Sequence, residues 1–149
     1  MISQLRTSRH WGETRNQEPI NYAVRTRGEI EAAVCQRISR FELDYMGRGP
    51  NDIRTHLIDD LLLVRLTGVL TAAEQHLVKA LAVEKGRDLL KQARTHLVET
   101  ARPLMEAMIH DVTGHKVVSM HYDISTVTGE EVMLFTLAGT PLVREPKRK

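Results

Sequence analysis

The longest helical pattern in the chain sets the first limit on its fold. From Ala72 to Val112, apolar residues recur at spacings of three and four, as on one face of a helix. One unbroken helix over this span would be about 60 Å long, whereas a compact chain of 149 residues is only about 40 Å across. The pattern therefore predicts a helix that is kinked or broken, or one that projects and packs against a second copy.

Residues within this span favour both outcomes. The apolar stripe changes phase just before Val83 and Gly86, and Pro103 removes one backbone hydrogen bond, so a break or kink is expected. Small side chains further along the stripe allow another element to approach closely. We therefore predict a homodimer, with a candidate dimer helix formed by Gly86, Leu90, Ala93, Leu97 and Ala101.

Helical and strand patterns alternate along the rest of the chain. A helix is predicted from Glu29 to Gly47, followed by a hairpin of Ile53–Ile58 and Leu61–Thr67 around the turn Asp59-Asp60. The capping box Thr71 to Glu74 begins the long helical region, and a second hairpin pairs His115–Asp123 with Glu131–Ala138. The order α-β-β-α(-α)-β-β predicts an α+β fold, in which two antiparallel hairpins form a sheet with helices on one face. The first strand reads as an edge strand and the second as a central one.

Composition divides the chain into a core and two basic ends. Residues 1–27 read as a flexible basic arm, residues 28–140 as a single α+β domain, and residues 141–149 as a basic tail. No apolar run exceeds four residues, so neither a transmembrane segment nor a signal peptide is predicted. We expect a cytoplasmic protein, at most peripheral to the inner membrane through a partner. Aromatic residues make up only 4% of the chain, which argues against nucleic-acid binding.

The patterns of the common catalytic and metal sites are missing from the sequence. None of the seven histidines forms a pair with a strong metal-ligand spacing, and the glycine-rich loop lacks the lysine of a nucleotide-hydrolysing loop. No serine stands in a nucleophile-elbow context. We therefore predict a protein that is not an enzyme and that needs no metal or cofactor.

The stretch Gly47-Arg48-Gly49-Pro50 has two interpretations. Its glycines and proline are what the end of a helix and a turn require. Its arginines have no such role, so a candidate site for an anion or a partner consists of Gly47, Arg48, Gly49, Asn51, Arg54 and Arg65. For Arg65, which interrupts the central strand, a structural ion pair is the favoured interpretation.

The order of these motifs resembles the MpsC-like family. The similarity covers residues 28–140, and its most specific part is the series Gly47-Arg48-Gly49-Pro50, Arg54, Asp60, Arg65, Leu66, Gly68, Leu70, Thr71 and Glu74. The resemblance implies a small soluble component of a sodium-translocating, membrane-potential-generating system, for which no catalytic residues are established.

Two hypotheses for function follow. The first is a non-catalytic accessory or regulatory subunit, a dimeric binding module that docks on a membrane-associated protein of an ion or inorganic-carbon translocation system. The second is a small-anion or nucleotide-binding protein that uses the GRGP loop with Arg48 and Arg54.

Overall fold

Two helical segments and two hairpins alternate along the chain. The computed structural model describes residues 24–80 and 82–147. The helices are α1 (Arg27–Phe41), α2 (Ala72–Ala80) and α3 (Val83–Thr113), with one π-helical turn at Glu42–Met46 directly after α1. The strands are β1 (Asp52–Ile58), β2 (Leu61–Thr67), β3 (Val117–Ile124) and β4 (Glu131–Leu137). This order confirms the predicted α+β class.

The four strands form one antiparallel sheet in the order β1-β2-β4-β3. Asp59 adopts a positive φ of 53° at the predicted turn of the first hairpin, and Gly129 adopts 75° between the strands of the second, so both predicted hairpins are confirmed. The prediction of an edge strand followed by a central strand is also correct, since β2 pairs with both β1 and β4.

Within the described residues, helices cover one face of the sheet and leave the other uncovered. Strand residues of one parity pack against α1 and α3 and form the core. They are Thr55 and Leu57 of β1, Leu62, Val64 and Leu66 of β2, Glu131, Met133, Phe135 and Leu137 of β4, and Met120 and Ile124 of β3. We call this the inner face. The other parity forms the outer face, over which none of the described helices packs.

The long helical region is broken once, at the predicted place. Its first part, α2, ends at Ala80, and Ala82 takes an extended conformation with ψ 132° before α3 begins. A Cβ at Gly86 would lie 3.0 Å from the carbonyl oxygen of Leu77, so this glycine allows α3 to cross α2 closely. The 31 residues of α3 give a helix about 46 Å long, which continues through Pro103 to the cap Gly114.

The two ends of the described part of the chain meet at the start of α1. The guanidinium of Arg144 lies 2.8 Å from the Glu29 carboxylate, and the Arg144 amide donates to the carbonyl oxygen of Arg25. Thr26 caps α1 by accepting a hydrogen bond from the amide of Glu29. Of the predicted N-terminal arm, residues 1–23 lie outside the described part of the chain.

Candidate functional site

The GRGP loop connects the π-helical turn to β1. Gly47 adopts a left-handed φ of 84°, and its amide donates to the carbonyl oxygen of Leu43, so its predicted role as a helix stop is confirmed. The amide of Asn51 donates to the carbonyl oxygen of Thr67 at 2.9 Å, which begins the first hairpin. The conformation at Gly47 and the start of the hairpin at Asn51 thus follow from contacts within the chain.

The structure divides the candidate arginines into two groups. Arg48 donates to Asn51 Oδ1 at 3.1 Å, and both residues line a small cavity of about 180 Å³ beneath the loop. Arg54 and Arg65 face each other across β1 and β2 on the outer face. Arg54 lies 3.3 Å from Asp52, and Arg65 lies 2.8 Å from Glu130. The ion pair predicted for Arg65 is therefore present.

Some residues of the candidate dimer helix are buried within the domain, and others are exposed on its surface. Leu90 and Ala101 are buried in the chain's own core, and Gly86 packs against α2. Ala93 and Leu97 are exposed. With two further exposed leucines they form an apolar strip, which we call the α3 seam: Leu89, Ala93, Leu97 and Leu104, whose leucines are 43 to 47% exposed.

A buried group of charges, which the sequence interpretation missed, lies between α3 and the inner face. Arg94 is 1% exposed, and its Nε and Nη2 atoms donate to the two carboxylate oxygens of Glu74 at 2.7 and 2.6 Å. Its Nη1 atom donates to Glu131, and Nη2 also reaches the carbonyl oxygen of Val69 at 2.9 Å. We call Arg94, Glu42, Glu74, Glu131 and Tyr122 the Arg94 cluster.

Glu42 is the least satisfied member of the cluster. It opens the π-helical turn, it is fully buried, and within the described residues neither of its carboxyl oxygens accepts a hydrogen bond. Its Oε2 atom lies 3.7 Å from Arg94 Nη1. Burial, together with the negative charge of Glu131, raises the pKa of Glu42 to about 9. Glu42 is therefore protonated at neutral pH and can donate its proton to the Glu131 carboxylate.

The other members are shifted by the same surroundings. Burial raises the pKa of Glu131 and of the Tyr122 hydroxyl. Burial is the largest single influence on Glu74 and Arg94 and alone would raise the pKa of Glu74 and lower that of Arg94. Their mutual hydrogen bonds, together with the attraction between opposite charges and the hydrogen bonds of Glu74 with Thr71, outweigh burial, so the pKa of Glu74 is lowered and that of Arg94 is raised. Glu74 is the only carboxylate of the cluster with appreciable exposure.

Arg94 connects four parts of the fold through the cluster. Arg94 of α3 holds Glu74 of α2, Glu131 of β4 and the loop carbonyl of Val69, and it lies beside Glu42 of the π-helical turn. Because its carboxyl groups are enclosed, the arrangement is suited to fixing helices on the sheet and to holding a proton. Among the described residues, no group of three or more His, Cys, Asp or Glu side chains is placed to hold a metal ion.

Comparison with known proteins shows the family of this chain. The sequence profile described as "Na+-translocating membrane potential-generating system (MpsC)" matches residues 26–139. The chain belongs to the MpsC family. It is also 37% identical over 113 residues to "Uncharacterized protein YbcI" of Bacillus subtilis (strain 168), a match that spans 76% of this chain and 89% of the relative. No solved structure matches the chain.

The MpsC match includes the GRGP loop, the α3 seam and every member of the Arg94 cluster. The family resemblance predicted from the GRGP series is thus confirmed. The family name links the chain to a membrane system that translocates sodium ions. None of the described helices is long and apolar enough to cross a bilayer.

Proposed function

We propose that this MpsC-family protein is a non-catalytic accessory or regulatory subunit, a dimeric binding module that associates with a membrane system for ion or inorganic-carbon translocation. The observation that carries the proposal is that the described domain leaves two apolar surfaces uncovered, the outer face of the sheet and the α3 seam. Apolar surfaces of this kind mark interaction sites in soluble domains. The family name supports a partner that belongs to a membrane system.

The α3 seam is the surface that we assign to the membrane-associated partner. Its leucines lie on one side of α3 between residues 89 and 104, a distance of about 22 Å. Such spacing suits a second helix packed side by side, with leucines as the anchors. The occupant that we propose is an apolar or amphipathic helix of the membrane-associated subunit.

Site-specific photo-crosslinking in the protein's own cells tests this assignment. A photoreactive residue at Leu97 is expected to give a covalent adduct that stays in the membrane fraction. The matched control carries the same residue at Gln92, which is exposed on another side of the same helix. Equal adducts at the two positions, or adducts only with soluble proteins, would contradict the proposal.

Binding of a small anion or nucleotide by the GRGP loop is the alternative function. Arg48 and Arg54 would have to converge on one ligand, but Arg48 donates to Asn51 whereas Arg54 pairs with Asp52. Of the two, Arg48 lines the cavity beneath the loop. These contacts favour the docking function, and the anion hypothesis is tested with Arg48 below.

A further inference from the structure

The Arg94 cluster and the cavity beneath the GRGP loop are built from the same pieces of chain. Glu42 opens the π-helical turn that leads directly into the loop. Val69, whose carbonyl oxygen accepts a hydrogen bond from Arg94, also lines the cavity. Glu131 lies two residues after Gly129, another lining residue. A change inside the cluster can therefore reach the loop through three short connections.

The hydrogen bonds of the cluster leave one carboxyl group without a donor. A guanidinium carries five N–H groups, and Arg94 uses four of them, two for Glu74, one for Val69 and one for Glu131. The fifth belongs to Nη1, which lies 3.7 Å from Glu42 Oε2, too far for a hydrogen bond. Among the described residues, both carboxyl oxygens of Glu42 and Oε2 of Glu131 have no hydrogen-bond partner. One proton shared by these two carboxyl groups satisfies an oxygen on each.

The charged and titratable groups that face Glu42 come from four elements. They are Arg94 of α3, Glu131 of β4, Glu74 of α2 and Tyr122 of β3. The only cation among them is Arg94, and it already binds two other carboxylates. Burial and the negative charge of Glu131 accordingly raise the pKa of Glu42 to about 9. Once ionised, Glu42 is a buried charge without a donor, which is an unfavourable state unless the side chain reaches water.

The π-helical turn is the part of the structure that is free to respond. Arg94 holds α2, β4 and the chain after β2 by direct hydrogen bonds, whereas the shared proton is what attaches Glu42 to the cluster. Leu43 and Tyr45 of the same turn are 50 and 47% exposed, so the Glu42 carboxylate has a short path to water. Gly47, with a φ of 84°, follows the turn directly and provides a hinge between the turn and the loop.

We propose that the proton shared by Glu42 and Glu131 controls the position of the GRGP loop. While the proton is held, the π-helical turn stays on the sheet, and Arg48 and Asn51 stay over the cavity. When Glu42 releases its proton to solvent, its carboxylate turns towards water, and the turn carries the loop away from Gly68 and the rest of the cavity wall. This regulation does not depend on docking at the α3 seam.

Carbon NMR of the full chain, with glycine labelled by carbon-13 at Cα, tests the proposal. These carbons do not exchange with solvent, and their chemical shifts report backbone conformation. Gly47 and Gly49 lie in the loop, and Gly68 lies under Asn51, whose Cγ is 2.4 Å from the place of a Cβ on Gly68. Between about pH 7 and pH 10, the three signals are expected to change together with one midpoint. Gly28, at the far end of α1, is expected to stay constant. A change of Gly28 at the same midpoint would mean that the whole domain unfolds and that the proposal is wrong.

Glu42→Gln is the matched control, because its amide keeps a donor towards Glu131 but cannot release a proton. Every chain also carries Cys35→Ala, since Cys35 lines a surface groove together with Gly49 and its thiol would contribute to that signal. The three signals are expected to stay constant with pH in Glu42→Gln. Signals that titrate equally with Glu42 and with Gln at this position, or that stay constant in both chains, would overturn the proposal.

Glu131→Gln provides a second test that is independent of the first variant. Without the neighbouring negative charge, Glu42 ionises more easily, so the midpoint of the Gly49 signal should fall by at least about one pH unit, a tenfold loss of proton affinity. An unchanged midpoint would show that another group controls the loop. Photo-crosslinking from Leu97 reports on the membrane-associated partner separately from these titrations.

Discussion

Two neighbouring cross-strand rows at one end of the sheet differ in whether their charged residues are buried or exposed. On the inner face, Glu131 of β4 meets Arg94 within a core closed to water. One residue further along the ladder, Arg54, Arg65 and Asp123 lie on the outer face and are exposed. Strand alternation alone separates the two sets. The comparison teaches that the same residue types fix the fold where they are buried, whereas on the exposed face they form surface ion pairs, Arg54 with Asp52, Arg65 with Glu130 and Asp123 with Lys91.

Replacing the buried arginine should have the largest effect. Arg94→Met removes the positive charge that compensates the buried carboxylates, and we expect a loss of about 3–5 kcal/mol in the free energy of unfolding, measured by urea denaturation. The control on the outer face is Arg65→Met. Because the Arg65 side chain is 57% exposed, its ion pair should contribute no more than about 1 kcal/mol. Equal losses in the two variants would remove the distinction between the faces.

A double variant shows whether uncompensated charge is the cause of that loss. Arg94→Met combined with Glu131→Gln removes both partners of the buried pair, so part of the stability should return. If the double variant is as unstable as the sum of the two single changes, the packing of the arginine stem matters more than its charge.

Glu42 should make stability depend on pH. Its pKa is raised from 4.5 to about 9 in the folded chain, so the folded state holds a proton that the unfolded state releases. The stabilisation is complete below about pH 4.5 and is lost as the pH rises towards 9, with a slope of up to about 1.4 kcal/mol per pH unit. The raised pKa of Glu131 acts in the same direction. Glu74, whose pKa is lowered, acts in the opposite direction at acid pH.

Glu42→Gln isolates this contribution. The amide keeps a hydrogen-bond donor towards Glu131 but cannot release a proton. Between pH 5 and pH 9, the melting temperature should therefore fall more steeply with rising pH for the original chain than for the variant. Parallel curves would mean that Glu42 is ionised in the folded chain, contrary to the environment described above.

Much of the fold, but not this cluster, could be predicted from the sequence. Turn residues and alternating strands identified both hairpins, and the capping box at Thr71 and Glu74 forms both of its expected hydrogen bonds. The α3 stripe was partly placed on the wrong side of the helix. Of the residues predicted for it, Leu90 and Ala101 are buried, whereas Ala93 and Leu97 are exposed. The buried side continues instead through Arg94, Val98, Met105 and Ile109.

This misplacement has a physical cause. An interpretation based on apolar spacing avoids an arginine, yet Arg94 is buried because distant carboxylates compensate its charge. A local signal did exist: Glu131 has the same parity as Met133, Phe135 and Leu137, which are inner-face residues. A glutamate at such a position indicates either a cation inside the fold or a carboxyl group that keeps its proton. Which cation it meets depends on packing between elements 37 residues apart, which no local pattern encodes.

The glycine at the crossing of α2 and α3 should have an intermediate effect. Gly86→Ala places a Cβ 3.0 Å from the Leu77 carbonyl oxygen and 3.1 Å from the Cα of Val78. Since both neighbours are backbone atoms, we expect a net loss of about 1–2 kcal/mol despite the better helix propensity of alanine. Gly28→Ala is the control, because its Cβ would meet only the Thr26 hydroxyl at 4.0 Å. A stabilised Gly86→Ala variant would show that the α2–α3 contact tolerates separation.

The smallest effect on stability is expected at the loop where the sequence first suggested a site. Among the described residues, Arg48 donates one hydrogen bond, to Asn51, close to the surface, so Arg48→Ala should change the free energy of unfolding by less than about 0.5 kcal/mol. The same variant tests the anion hypothesis when melting is measured with phosphate and with bicarbonate. Under the docking function, neither anion raises the melting temperature of the original chain beyond that of Arg48→Ala at matched ionic strength. A rise that only the original chain shows would mean that the loop binds an anion, and the exposed arginines would then differ from Arg94 in binding a ligand as well as in exposure.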